Sequence, residues 1–275
     1  MLKIYQTPEE AKNDKEYLEG LTELLLQLAD DDLLMSHRGS EWIGLAPHIE
    51  EDVAYASIAQ NTLGHAVMFY QLLEELGLGK QDDLAYLRQT SDYRNAILTE
   101  RLNGEGHYME SPQYDWAYTV IRNYCYEVFK KYRLDWLARS SYQPLADISI
   151  KIQQEQYYHL FHWEVWIDQL SQSTNEARER LNQAIERVWR DIPSLLDRGP
   201  KGSLLEKDHF RISEQEMNKA YYDRLKEKFR RVGLQWLGEP KPIAFTGREG
   251  KHTDELVAAL QDLSEVYRLD PQASW

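Results

Sequence analysis

Four long segments of this chain repeat apolar residues every three or four positions, the spacing that gathers them on one face of an α-helix. Leu18, Leu21, Leu25 and Leu28 form the first stripe, on a segment running from about Asp14 to beyond Met35. Ile58, Thr62, His65, Phe69, Leu72 and Leu76 form the second, on a helix expected to follow Pro47 and stop at Gly77. The third segment spans roughly Trp116 to Ala138, with Val120, Tyr124, Glu127 and Leu134 on one face and Lys131 pointing outward. The fourth opens at Pro144 and reaches about Leu170 through Ile152, Gln156, His159, Trp163 and Trp166. An apolar helical stripe must be covered by another element, so four of them predict a helix bundle. Glycine and proline are scarce, 14 and 9 in 275 residues, which also points to an all-α protein.

Punctuation signals refine this outline. Pro47 suits the first turn of its helix, and Glu50, Glu51 and Asp52 complement the positive helix end. A single short helical stretch is expected over Leu84–Arg101, followed by a polar loop around Asn103–Gly106. Ser173 with Glu176, and Ser213 with Glu216, have capping-box spacing. Residues 196–210 and 238–252 read as loops, and the last helix starts near Thr253. We therefore expect one domain over residues 1–275, with a core bundle at about 14–170 and accessory helices at about 173–275.

The polar residues inside the stripes carry the functional question. Di-iron carboxylate bundles draw one Glu from each of two helices and a Glu-x-x-His pair from each of the other two. Here His65 and His159 stand where such pairs put histidine, but Thr62 and Gln156 occupy the carboxylate positions. About thirty residues upstream of each histidine lies an acid, Asp31 or Asp32 in one case and Glu127 in the other. The first stripe brings Asp32 inward with Asp31 at its edge, and the pattern leaves open which of them faces the interior. Glu155 is rotated by about 100° from Gln156 and would serve only if the helix were distorted. The set Asp31, His65, Glu127 and His159 is thus two carboxylates short of a di-iron centre. It matches a mononuclear two-His, two-carboxylate site for zinc, iron or manganese, and hence an oxidoreductase acting alone. It also matches a metal-free buried network in which carboxylates and imidazoles satisfy one another. We carry the last reading forward: a vestigial site with no catalytic residue, cofactor or metal in this chain.

Other classes are excluded. A net charge of −14 without a cationic run gives no footprint for nucleic acid. Lys130-Lys131 and Arg230-Arg231 are expected on solvated faces, and Cys125, the only cysteine, is expected to be buried and inert. Met1–Tyr5 lacks the apolar core of a signal peptide, and no apolar run approaches the ~20 residues that span a bilayer. No membrane association and a cytoplasmic location are therefore expected. His37-Arg38 with Glu41-Trp42 reads as a helix-end salt bridge, and Tyr157, Tyr158, His162, Trp163 and Trp166 as core. No phosphate loop, nucleophile elbow or Cys-x-x-Cys pair is present.

Several runs carry a family resemblance: Ser36–Arg38, Ser40–Gly44, Ala46-Pro47 and Glu50–Asp52, then Leu84–Arg88, Asp92–Asn95 and Gln156–Leu160, and finally Gly247–Asp254 with terminal Trp275. Together they resemble the non-catalytic, ferritin-like subunit of bacterial phenylacetyl-CoA epoxidases, over nearly the whole chain beyond its first dozen residues. The resemblance departs at His65, where that family leads one to expect Gln. It implies a ferritin-like bundle that has lost its iron ligands and supports assembly. The implied partner is a homologous catalytic subunit whose di-iron centre activates O₂ and epoxidises the aromatic ring. Other oxygenase subunits, and a reductase that passes electrons from NADPH, complete the implied hetero-oligomer.

Overall fold

The computed structural model describes residues 3–202, 204 and 214–273. Its helices are α1 (Pro8–Lys12), α2 (Lys15–Ser40), α3 (Ile49–Glu75), α4 (Gln81–Tyr86), α5 (Ile97–Glu100), α6 (Trp116–Leu137), α7 (Gln143–Ser173), α8 (Asn175–Trp189), α9 (Ile192–Leu196), α10 (Glu214–Val232) and α11 (Asp254–Leu269). The only strands among the described residues are a two-residue antiparallel pair, Gly104–Glu105 with Gln113–Tyr114. The protein is an all-α, ferritin-like four-helix bundle built from two hairpins, α2–α3 and α6–α7, with further helices packed outside. No helix of the described residues is long and apolar enough to cross a membrane.

Three of the four long helices begin at a side-chain cap, and the fourth, α7, begins at a proline. Asp14 accepts the amide of Tyr17 at 3.2 Å, and Asp115 accepts that of Tyr118 at 3.0 Å. Pro144 sits in the first turn of α7. Pro47, by contrast, lies before its helix, not in its first turn; the cap is His48, whose Nδ1 accepts the amide of Glu51 at 3.2 Å. Thr174, not Ser173, caps α8 through the amide of Ala177, because α7 continues through Ser173. Of the second expected capping box, Ser213 lies outside the described residues, as does Trp275.

The two layers of the bundle differ in cover. In α2, 18 of 26 residues are buried, and in α6, 17 of 22, because α8, α9, α10, α11 and α5 close over them. Only 10 of 27 are buried in α3 and 10 of 31 in α7, so the α3–α7 layer is the open side.

The expected helix over Leu84–Arg101 is instead three short pieces: α4, one 3₁₀ turn at Thr90–Asp92, and α5. The reason lies on α2. Asp30 accepts the amide of Arg94 and Asp31 the amide of Ala96, each at 2.7 Å, which draws this stretch out along α2 in extended form. Its amides are satisfied by carboxylates, so a continuous helix has nothing to gain there.

Candidate functional site

Asp30, Asp31 and Asp32 are consecutive and all buried, and helical geometry sends successive side chains about 100° apart. Each therefore finds a different partner. Asp30 accepts from the Tyr70 hydroxyl at 2.5 Å and from the Arg88 guanidinium. Asp31 receives two bonds from Arg248, at 2.7 and 3.1 Å, and lies 3.5 Å from Arg133. Asp32 accepts from Lys130 Nζ and from the Tyr126 hydroxyl, both at 2.6 Å.

This corrects one candidate residue. Asp31 does not join His65, Glu127 and His159; it anchors the loop before α11 by its ion pair with Arg248. That loop lies close on the residues before α5, since a Cβ at Gly247 would collide with the Asn95 carbonyl and the His252 ring. Asp32 takes the place in the cluster.

A second correction concerns Lys130. It is buried on α6, while its neighbour Lys131 is half exposed and paired with Asp135. Besides binding Asp32, the Lys130 ammonium faces His65 Nδ1 at 2.9 Å. An ammonium offers only donors, so Nδ1 must accept and the imidazole must be neutral with its proton on Nε2. That N–H donates to Glu155 Oε2 at 2.9 Å. Burial, then the electrostatic influence of Lys130 and of the neighbouring His159 ring, holds His65 well below its ordinary pKa, in agreement with the neutral ring. Burial pushes the Asp32 carboxyl above the usual range, with Lys130 and Tyr126 pulling against it. Glu155 needs no helix distortion, because it reaches His65 from the flank of α7.

The other half of the cluster is joined differently. Gln156 donates its amide to the Glu127 carbonyl at 2.9 Å and to Glu127 Oε2 at 3.1 Å. His159 Nδ1 stands 3.6 Å from Glu127 Oε1, beyond hydrogen-bond length, and neither of its ring nitrogens has a hydrogen-bond partner. The His65 and His159 rings lie 5.8 Å apart between centroids. Burial would raise the Glu127 carboxyl, yet His159, Lys130 and Gln156 outweigh it and hold the group below the usual range.

These donors do not fit a metal ion. Thr62 spends its hydroxyl on the Ile58 carbonyl of its own helix at 2.8 Å, and Gln156 presents N–H groups to Glu127. The space between Asp32 and His65, where a shared cation would sit, is bridged by the Lys130 ammonium. Among the described residues no group of three or more His, Cys, Asp or Glu is arranged to hold an ion. The void beside Asp32 and Lys130, lined by Phe69 and Phe129, is about 10 Å³, room for at most one water. The arrangement can store charge and order the helices that carry it.

Sequence reasoning missed Lys130 and Tyr126. A signal for Lys130 existed: three residues after Glu127, it shares that residue's helix face. Of the remaining expectations, Arg38 does pair with Glu41 at 2.5 Å at the end of α2. Cys125 is buried, and burial pushes its thiol up, which leaves it unreactive. The aromatic group on α7 divides, with Trp163 in the core and Tyr157 and Tyr158 exposed, because α7 borders solvent on that side.

Comparison with known proteins matches the family model described as phenylacetic acid catabolic protein to residues 4–275. The C subunit of the 1,2-phenylacetyl-CoA epoxidase of Escherichia coli (strain K12) is 30% identical over 258 residues, covering 93% of this chain and 99% of that protein. The A subunit of the same epoxidase is 25% identical over 162 residues, covering 58% of this chain and 47% of that protein.

Proposed function

This chain belongs to the phenylacetic acid catabolic protein family, and from that premise we propose that it is the structural, non-catalytic subunit of a phenylacetyl-CoA epoxidase. Its partner in this reading is a homologous catalytic subunit, which holds the di-iron centre and epoxidises the ring. Further oxygenase subunits and an NADPH-dependent reductase complete the assembly. The similarity to the C subunit of the Escherichia coli epoxidase, along almost the full length of both chains, supports the assignment. One observation carries the non-catalytic part: Lys130 lies between Asp32 and His65 as a built-in cation, 2.6 and 2.9 Å away. A metal centre uses ions to neutralise clustered carboxylates. Here a protein side chain, the Lys130 ammonium, supplies that positive charge.

The unpartnered nitrogens of His159 are the one feature favouring the alternative, a metal-binding oxidoreductase acting alone. Reconstitution separates the two. The chain is purified alone and together with the homologous catalytic subunit of its own organism, with iron content and NADPH-dependent turnover of phenylacetyl-CoA followed in both. The expected result is iron and turnover only in preparations that contain the homologue. Iron and turnover in the isolated chain would overturn the reading.

A further inference from the structure

Four of the eight tryptophans meet in one place, brought there by three separate elements. Trp42 lies in the turn after α2, Trp116 opens α6, and Trp163 and Trp166 stand one turn apart on α7. Tyr114, Trp42, Trp116 and Trp166 form an unbroken chain of rings, with centroids 5.4, 4.9 and 5.1 Å apart. Trp163 is a side branch, 6.0 Å from Trp116. Tilted and edge-on contacts of this kind pack a core well. Hydrogen bonding, however, divides the four indoles. An indole N–H can only donate. Those of Trp42, Trp116 and Trp163 are buried and meet no acceptor among the described residues. Trp166 does donate, to Glu51 Oε2 at 2.6 Å, and the other oxygen of that carboxyl lies 3.0 Å from His162 Nε2. Packing gains nothing from that difference, but one-electron chemistry depends on it.

We propose that these rings pass an oxidising equivalent to Trp166, which makes the cluster a protective sink for one-electron oxidants. Indole is among the side chains that lose an electron most readily, and transfer between rings in contact outruns the reactions that destroy an oxidised ring. The oxidant is an oxygen-centred radical of the class of the carbonate radical anion. At the Tyr114 end it takes one electron from Trp42 and becomes carbonate. Trp116 then gives an electron to Trp42, and Trp166 gives one to Trp116. A radical cation at Trp42, Trp116 or Trp163 is a buried charge with no counter-charge and no base for its proton, which is unfavourable. At Trp166 the N–H proton passes to Glu51 Oε2 and leaves a neutral indolyl radical. The charge on the ring is gone, so the hole stays there. Trp166 is half-buried and stacks on the exposed His48 ring at 5.6 Å, within reach of solutes. A soluble thiol returns a hydrogen atom to its nitrogen and becomes a thiyl radical, and Glu51 releases its proton to water. In total one electron reaches the oxidant, one thiol is oxidised and one proton is released. This role stands apart from the function proposed above, and neither depends on the other.

The test uses the full-length chain carrying Glu110→Cys, an exposed position in the loop of the hairpin that ends at Tyr114. That thiol is labelled with a ruthenium polypyridyl photo-oxidant, while Cys125 is buried and escapes the label. Flash oxidation with a cobalt(III) quencher is followed by transient absorption, which separates the neutral indolyl radical from the indole radical cation. Peptide mass spectrometry then locates the oxidised product. Trp236 is the control, half-buried like Trp166 but with its ring contacts to Trp189 and Tyr222. The expected result is the neutral radical, with oxidised indole concentrated on Trp166 and none on Trp236. Glu51→Gln keeps a hydrogen-bond acceptor but removes the base, and should abolish the neutral radical. Trp116→Phe should strand the product at Trp42 and Tyr114. The product map of the labelled parent chain decides without either core variant, should one fail to fold. Product left at Tyr114 and Trp42 in that chain, or shared equally between Trp166 and Trp236, would overturn the route. An undiminished yield of neutral radical in folded Glu51→Gln would overturn the sink.

Discussion

The two halves of the buried cluster meet the same problem in different ways. In both, a position that a metal site would fill with a carboxylate carries a neutral residue, Thr62 on α3 and Gln156 on α7. The α2–α3 half keeps Asp32 and His65 in place by taking in a cation from α6, the Lys130 ammonium. The α6–α7 half takes in no cation of its own; Gln156 donates an amide to Glu127, and His159 is left without a hydrogen bond. One half is an ion pair extended through a neutral imidazole to the surface at Glu155, and the other is a local amide–carboxylate contact. A neutral residue at such a position thus has no single structural consequence. It depends on whether the remaining acid faces a cation from across the bundle or a donor from the adjoining helix.

Substitutions can break this contrast, and the largest effect belongs to the cation. Lys130→Met leaves Asp32 buried without its counter-charge and should cost about 3–5 kcal/mol in urea unfolding. Adding Asp32→Asn should recover most of that loss; equal damage in the double variant would mean that packing, not charge, decides. Gln156→Glu comes next. It sets a second carboxylate against Glu127, and we expect a loss of about 2–3 kcal/mol at pH 7. Two carboxylates in one place raise the pKa of one of them in the folded state, so the folded variant holds a proton more tightly than its unfolded chain. The deficit relative to wild type should therefore shrink as the pH falls from 7 towards 5.

His65→Gln sharpens the comparison through pH. The folded protein holds His65 below its ordinary value of 6.5, while the unfolded chain does not. Stability from this group is complete above about pH 6.5 and is lost as the pH falls below it, at about 1.4 kcal/mol per pH unit. Removing the imidazole should flatten the wild-type decline between pH 6.5 and 5.5 by roughly 1 kcal/mol in denaturant titrations. An unchanged slope would mean that the ring is already charged in the fold. The smallest effect is expected from Thr62→Val, within about 0.5 kcal/mol, because that hydroxyl serves only its own helix.

Much of this was legible in the sequence. Periodicity located all four bundle helices, and the spacing of Thr62-x-x-His65 and Gln156-x-x-His159 brought two histidines and Glu127 to one place. Three things were not legible. Which of three adjacent aspartates faces inward depends on partners far along the chain: Arg88 for Asp30, Arg248 for Asp31 and Lys130 for Asp32. The solvated face assigned to Lys130-Lys131 failed for Lys130 because a charge is expected outside until its counter-ion is known. The break in the helix over Leu84–Arg101 arises from carboxylates on α2 capturing backbone amides, and no local propensity records that. In each case the deciding interaction joins residues more than fifty positions apart.

The central claim is that an ammonium stands where a metal would, and metal binding tests it directly. The purified chain is stripped of metal and titrated anaerobically with Fe(II), and in parallel with Zn(II) as a redox-silent probe, with calorimetry and elemental analysis as readouts. The account predicts no stoichiometric uptake of either ion by the wild-type chain. Binding of one equivalent, abolished by His65→Ala and by His159→Ala, would contradict it.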